Sequence, residues 1–382
     1  MYKLAVILMA LVLSACAGQT PTSTVGKPTA PNLSPLTLKW SLPEPQAFGY
    51  VALIGDLLLG RKQLTAIDLR TRKLAFKLPL HLDTSRTHFA PLGANYVPLT
   101  GQNSDHLTIF DRSGQVLNTV DVAGGTHQSL HQLGPVTVGS SLYVVSGATL
   151  YKYRTTDLLD SNAQPVWTRT YPGFGLASLV VQDEDHVFVS TNADTSRRLI
   201  ALDAQGTQRW AVDVASASLQ GGSAFILGLY KDTIIAQAGV AGLQAYKLET
   251  GEKAWQDFPD INVCPSGQAN IAFRMTIADD KVFLGPWGGT CVLAYQAQTG
   301  KLAWVFDAPN HITFDTTPLY LNGVVYATNS RLWALDAETG QALAVGREDL
   351  SDNIGSPLAY DPVDNQVVSW GPTGVFAYQP LK

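Results

Sequence analysis

Charge of either sign is scarce in this 382-residue sequence: 15% of the residues are Asp, Glu, Lys or Arg, and the formal balance is −5. A chain without a basic surplus offers no surface of the kind a phosphate backbone requires, which excludes nucleic acid as a partner. Cysteine is scarcer still. Only Cys16, Cys264 and Cys291 occur, no two of them adjacent, and no C-x-x-C-H for haem attachment is present. The G-x-S-x-G, H-E-x-x-H and P-loop patterns are missing as well. The expectation is therefore a chain with no catalytic residues, no metal and no cofactor. With 46% hydrophobic residues it can nonetheless bury a large core.

What the chain has instead is one phrase, repeated. RLWALDAETG (331 to 340) alternates side chains in the period-2 manner of a strand packed on both faces. It then supplies an Asp able to accept from nearby backbone N–H groups and a Gly able to take positive φ, which is turn chemistry. Relatives lie at LTAIDLRTRKLAF (64 to 76), LTIFDRSGQVL (107 to 117), LYKYRTTD (150 to 157), LIALDAQGTQRW (199 to 210), LQAYKLETGEKAW (243 to 255), VLAYQAQTGKLAW (292 to 304) and VFAYQP (375 to 380). Aligned at Asp336, the copies place Asp68, Asp111, Arg154, Asp203, Lys247, Gln296 and Gln379 at one position, with successive gaps of 43, 43, 49, 44, 49, 40 and 43. So steady a period marks a repeat architecture.

Two short apolar runs joined by a turn precede each phrase, as in TTPLYLNGVVYAT (316 to 328), and a further run follows it. That run often carries an aromatic: Phe76, Trp167, Trp210, Trp255 and Trp304. Each unit thus reads as four antiparallel strands, and a ring of such units is an all-β propeller. The last copy lacks a fourth strand. LTLKWSLPEP (36 to 45), with Trp40 in the aromatic place, can supply it from the N-terminus and close the ring without an open edge. Eight blades are expected, or seven if the degenerate copy at 150 to 157 is no blade. The six aromatics are expected to pack between blades, and Trp333 and Trp370 to lie within strands.

The A-L-D-A-x-T-G-x-x-x-W pattern resembles the repeat of the pyrroloquinoline-quinone-like propellers, a superfamily that includes quinoprotein alcohol dehydrogenases and the propeller lipoprotein of the β-barrel assembly machinery. The resemblance covers nearly the whole mature chain and implies the fold; the same repeat serves enzymes and scaffolds alike. Departures are visible. Arg72 replaces the first Gly, Asn118 and Ala344 fall where aromatics are expected, and the third copy lacks the T-G. In the dehydrogenases the family pattern sets the cofactor beside a disulfide between adjacent cysteines, a feature missing here, so the enzyme or small-ligand reading through the central funnel is the alternative rather than the first choice.

The N-terminus, MYKLAVILMALVLSACAGQT, has one Lys, a short apolar run and small residues before a Cys. This is a secretory signal, too short and wrongly flanked for a stable span. Leu13-Ser14-Ala15-Cys16 resembles a bacterial lipobox, which implies lipidation of Cys16 as the first mature residue. Residues 17 to 35 are rich in Pro, Thr and Ser and read as a tether. The expected organisation is a signal peptide at 1–15, a lipidated Cys and tether at 16–35, and a propeller at 36–382. Its expected setting is the outer side of a membrane, periplasmic or at the surface, with envelope or outer-membrane proteins as partners of a monomeric ring. Cys264 and Cys291 remain for an exported compartment, and topology puts both on one face of the ring; a disulfide is expected, two buried thiols being the alternative.

Other candidates are weaker. His127 and His131 have the spacing of helical metal ligands but fall in a Gly-flanked connection. Asp183-Glu184-Asp185 reads as a solvated hairpin turn, and Trp287, in GPWGGT, as a loop residue that could make a surface contact.

Overall fold

A computed structural model describes residues 33–43, 51–60, 65–78, 89–100, 105–122, 135–172, 175–192, 197–214, 226–237, 242–257, 263–264, 273–286, 289–309, 314, 316–346, 350, 358–371 and 374–381. Its strands form eight sheets, each built on four antiparallel strands. In chain order, blades 1 to 7 span 51–77, 89–122, 136–170, 175–213, 226–257, 273–307 and 319–345, and blade 8 takes 358–378. The degenerate third copy is a complete blade, with strands Val136–Val138, Ser141–Ser146, Thr149–Arg154 and Trp167–Thr170. The count is therefore eight. First strands of successive blades neighbour one another around the centre of the ring, where Thr137 Oγ1 donates to Pro91 O at 2.7 Å and Thr276 Oγ1 to Pro318 O at 2.5 Å.

The N-terminal segment closes the ring. Two strands precede blade 1: β1 (Ser34–Pro35) and β2 (Leu38–Leu42). β2 is the fourth strand of blade 8, antiparallel to Gly374–Tyr378, with Trp40 opposite Ala377. β1 lies elsewhere, parallel to the outer strand of blade 7. Ser34 and Pro35, within the span expected as tether, thus pair with blade 7. The rest of the expected tether, up to residue 32, lies outside the described residues with Cys16 and the signal segment.

The repeated phrase folds as its residue types require. Asp68 Oδ1 accepts from Arg70 N at 2.7 Å, Asp203 Oδ1 from Thr207 N at 2.7 Å, and Asp336 Oδ1 from Thr339 N at 2.9 Å, fixing the turn between third and fourth strands. The Gly that follows has φ of +71° at Gly206, +70° at Gly251, +73° at Gly300 and +71° at Gly340. It is needed twice over. The indole of the preceding blade lies flat on it, so that an added Cβ would sit 2.8 Å from Trp167 at Gly206, 2.7 Å from Trp210 at Gly251, 2.5 Å from Trp255 at Gly300 and 2.6 Å from Trp304 at Gly340. Each indole N–H then finds a carbonyl on the same turn: Trp167 to Ala204, Trp210 to Leu248, Trp255 to Ala297 and Trp304 to Ala337, at 2.8 to 3.1 Å. Phe76 lies on Gly114 in the same way, without the hydrogen bond. Aromatic burial of this kind holds one blade against the next.

Arg72 resolves one departure. It keeps the left-handed backbone of the missing Gly, at φ +57°, and lays its guanidinium 5.3 Å from the centre of the Trp40 ring. Asn118 resolves another by donating its amide to Leu158 O at 2.7 Å, while Leu158, fully buried in the short 3₁₀ segment Asp157–Leu159, fills the space between blades 2 and 3.

Candidate interaction faces

An up-and-down blade places its 1–2 and 3–4 turns on one face of the ring, and its 2–3 turn and the connection to the next blade on the other. On the first, the turns are tight and several of their charges pair with neighbouring blades. Arg70 of blade 1 bonds Asp361 of blade 8 at 2.7 Å and also pairs with Asp364, while Arg112 of blade 2 pairs with Asp56 of blade 1. Lys152 of blade 3 approaches Glu184 of blade 4 at 3.6 Å, His186 of blade 4 bonds Glu249 of blade 5 at 2.8 Å, and Lys231 of blade 5 bonds Asp280 of blade 6 at 2.9 Å. Lys281 of blade 6 pairs with Glu338 of blade 7. Among the described residues such pairs span six seams, while seams 2–3 and 7–8, the two without an aromatic, are held by Leu158 and by the N-terminal segment.

Asp361 is the most deeply buried member of this belt, its side chain wholly shielded. Burial alone pushes its pKa up, but donation from Arg70, Gln366 Nε2 and Val363 N together outweighs that and holds the carboxyl below its ordinary range. His186 is held between two carboxylates, Nδ1 on Asp183 at 2.8 Å and Nε2 on Glu249 at 2.8 Å, with Arg209 on the other Glu249 oxygen. Burial pulls its pKa down, yet the two carboxylates raise it above 6.5 overall. The turn at Asp183-Glu184-Asp185 is therefore a hairpin turn as read from sequence, but two of its carboxylates are engaged: Asp183 by His186, and Glu184 by Ser141 Oγ at 2.8 Å.

A pH prediction follows from His186. A histidine whose folded pKa exceeds its unfolded value stabilises below about pH 6.5 and loses that contribution as pH rises through the folded pKa. The melting-temperature gap between the protein and its His186→Gln variant is expected to be widest near pH 6 and to shrink by pH 8.5. A gap independent of pH would mean that the imidazole is held as a neutral group.

The segments between one blade and the next are longest at 78–88, 123–135, 214–225, 258–272, 308–318 and 346–357, and most of their residues lie outside the described residues. One of them is fastened. Cys264, in the connection from blade 5 to blade 6, forms a disulfide with Cys291, the first residue of the strand Cys291–Gln296, with Cα atoms 5.7 Å apart and both residues buried. His127, His131 and Trp287 lie outside the described residues. Among the described residues, no three His, Cys, Asp or Glu side chains come together as a metal site. Cys264 and Cys291 are 27 positions apart in sequence, so the residues present do not fit a quinone held over adjacent cysteines.

Residues 103–284 and 265–349, more than half of the chain, match the family described as "Outer membrane protein assembly factor BamB". The chain belongs to this family. No curated protein matches it in sequence. Among solved structures, BamB from Moraxella catarrhalis is similar over 90% of this chain and 100% of that one, at TM-score 0.64 and 15% identity. The computationally designed Ika8 protein is similar over 91% and 100%, at 0.64 and 15%. A europium-containing methanol dehydrogenase is similar over 89% and 85%, at 0.62 and 12%. At such identities the likeness speaks for the fold, and the ring that BamB shares with a dehydrogenase does not by itself choose between binding and catalysis.

Proposed function

We propose that this BamB-family propeller is a lipid-anchored, non-catalytic scaffold of the bacterial envelope, holding protein partners on the long-connection face, with assembly of outer-membrane proteins as its setting. The observation that carries this reading is the division of labour between faces. Turns that knit one blade to the next leave their charges engaged with neighbours, whereas long connections on a rigid ring are where binding residues are ordinarily placed. The family's description and the lipobox-like Leu13-Ser14-Ala15-Cys16 supply the setting.

The test is crosslinking in membranes followed by recovery of the chain. Charged substitutions spread through 79–88, 123–134 and 215–225 are expected to abolish recovery of envelope proteins while moving the melting temperature little, since substitutions away from a packed core usually change stability by less than about 0.5 kcal/mol. Cys16→Ala is expected to release the protein from membranes or leave precursor. Undiminished recovery, unchanged membrane partitioning, or alcohol oxidation on addition of pyrroloquinoline quinone and Ca²⁺ would each overturn the corresponding part.

A further inference from the structure

Among the described residues, blade 7 alone of the eight sheets carries a fifth strand. β1 runs parallel to Ala342–Val345, with Ser34 opposite Ala344 and Pro35 opposite Val345, and Leu36 N donates to Val345 O at 3.0 Å. Ala344 stands opposite Ala334 in the register that sets Trp304 opposite Ala294 and Trp255 opposite Ala245. It is the aromatic position with the ring missing. Leu36 fills that space, buried in one cluster with Tyr326, Ala334, Ala344, Val367 and Tyr378.

The missing indole has a topological cause. Elsewhere the aromatic lands on the tight 3–4 turn of the next blade, and blade 8 has no such turn because its third strand ends at Tyr378 and its fourth is β2. The two ends of the ring meet there instead, with Gln379 N on Thr37 O at 2.9 Å and Leu381 N on Tyr326 Oη at 2.9 Å. On the other side of the same edge, Leu33 and Val345 both pack against the cluster that contains Trp304.

β1 is held far more thinly than β2. It pairs at two positions, Pro35 has no N–H to give, and both its residues are exposed. β2 pairs at four positions, donates its indole N–H to Gln366 Oε1 at 2.9 Å, and carries the Arg72 guanidinium. A short edge strand anchored chiefly by one leucine can open while the strand after it stays in place.

We propose that residues 33–36 are a releasable strap lying in a strand-acceptor groove, formed by the outer edge of blade 7 and the socket over Ala344. In the strap's place the groove takes an extended segment of another polypeptide with large apolar side chains three residues apart. That is the chemistry the chain itself presents to it: a backbone parallel to the outer strand, Leu33 on one side of the sheet and Leu36 on the other. This surface is separate from the long-connection face, and either reading can fail without the other.

The full mature chain tests the idea. Leu36→Ala is expected to speed hydrogen exchange at residue 36 by ~50-fold, the loss of one buried leucine's anchoring, while Trp40 and Ser41 change by less than ~3-fold. A synthetic peptide of residues 31–37, PNLSPLT, is expected to bind this variant saturably and at least ~10-fold tighter than the unaltered protein, in which the strap competes at high effective concentration. The same peptide with both leucines replaced by alanine should not bind. Adding Ala344→Trp, which fills the socket from blade 7 itself, should abolish binding. Equal acceleration at residues 36 and 40 would overturn the strap, and a folded Leu36→Ala variant that ignores the peptide would overturn the groove. Should Leu36→Ala fail to fold, Leu33→Ala carries the same measurements.

Discussion

Deletion of residues 38–42 is expected to abolish the sharp thermal transition of the mature protein, whereas deletion of 17–32 shifts its midpoint by less than about 2 °C. The first deletion strips blade 8 of its fourth strand and leaves Gly374–Tyr378 as an open edge. It also removes Trp40, which is buried in one cluster with Leu58, Ile67, Leu69 and Trp370 and so holds the first blade to the last. Truncating a buried Trp costs about 3–5 kcal/mol by itself, against a typical total of about 5–15 kcal/mol, and four backbone pairings are lost as well. An open ring has a second weakness in its unpaired edge, so the deleted protein should also aggregate on warming. Residues 17–32 precede every described strand. Differential scanning calorimetry of the two deletions decides the matter, and equal midpoints would mean that β2 is not what closes the ring.

Blade number and ring closure were legible in the sequence because their signals are local. Asp336 and Gly340 lie four residues apart and specify a turn whatever the surrounding fold, and seven relatives at a steady period leave few architectures open. Even the degenerate third copy could be counted once its four strands were allowed a longer link through Asp157–Leu159. The ion-pair belt was not legible. His186 and Glu249 are 63 residues apart, and Arg70 and Asp361 are 291 apart; only the angular placement of neighbouring blades brings them together. Hence Asp183-Glu184-Asp185 read as an ordinary solvated turn. Leu36 was hidden for a different reason. In a segment rich in Pro and Ser, a leucine gives no sign that it replaces an indole 308 positions later at Ala344. Arg72 was visible as an exception but not as a solution, since a positive φ and a stacked guanidinium are properties of the folded turn.

Trp304→Ala is expected to destabilise the protein by about 3–5 kcal/mol, the ordinary range for emptying a buried Trp site. The indole is almost wholly buried between blades 6 and 7, beside Phe283 at 5.9 Å between ring centres, with its N–H on Ala337 O at 3.0 Å. Trp304→Phe keeps much of the apolar contact but leaves Ala337 O without its donor, so about 1–2 kcal/mol is expected. Gly340→Ala attacks the same contact from below. Its methyl would sit 2.6 Å from the indole, and its backbone would have to hold φ +71°, which a non-glycine residue does at a cost of about 1–2 kcal/mol. The two sites are thus coupled through one volume. Once Trp304 is alanine, the methyl at position 340 points into the vacated space and only the backbone strain persists. The double variant is therefore expected to be more stable than the sum of the single losses predicts, by about 1–3 kcal/mol. Urea unfolding of the four proteins measures this coupling directly. Strict additivity would show that Gly340 is required for its backbone alone, and that the ring of Trp304 is not what presses blade 6 onto blade 7.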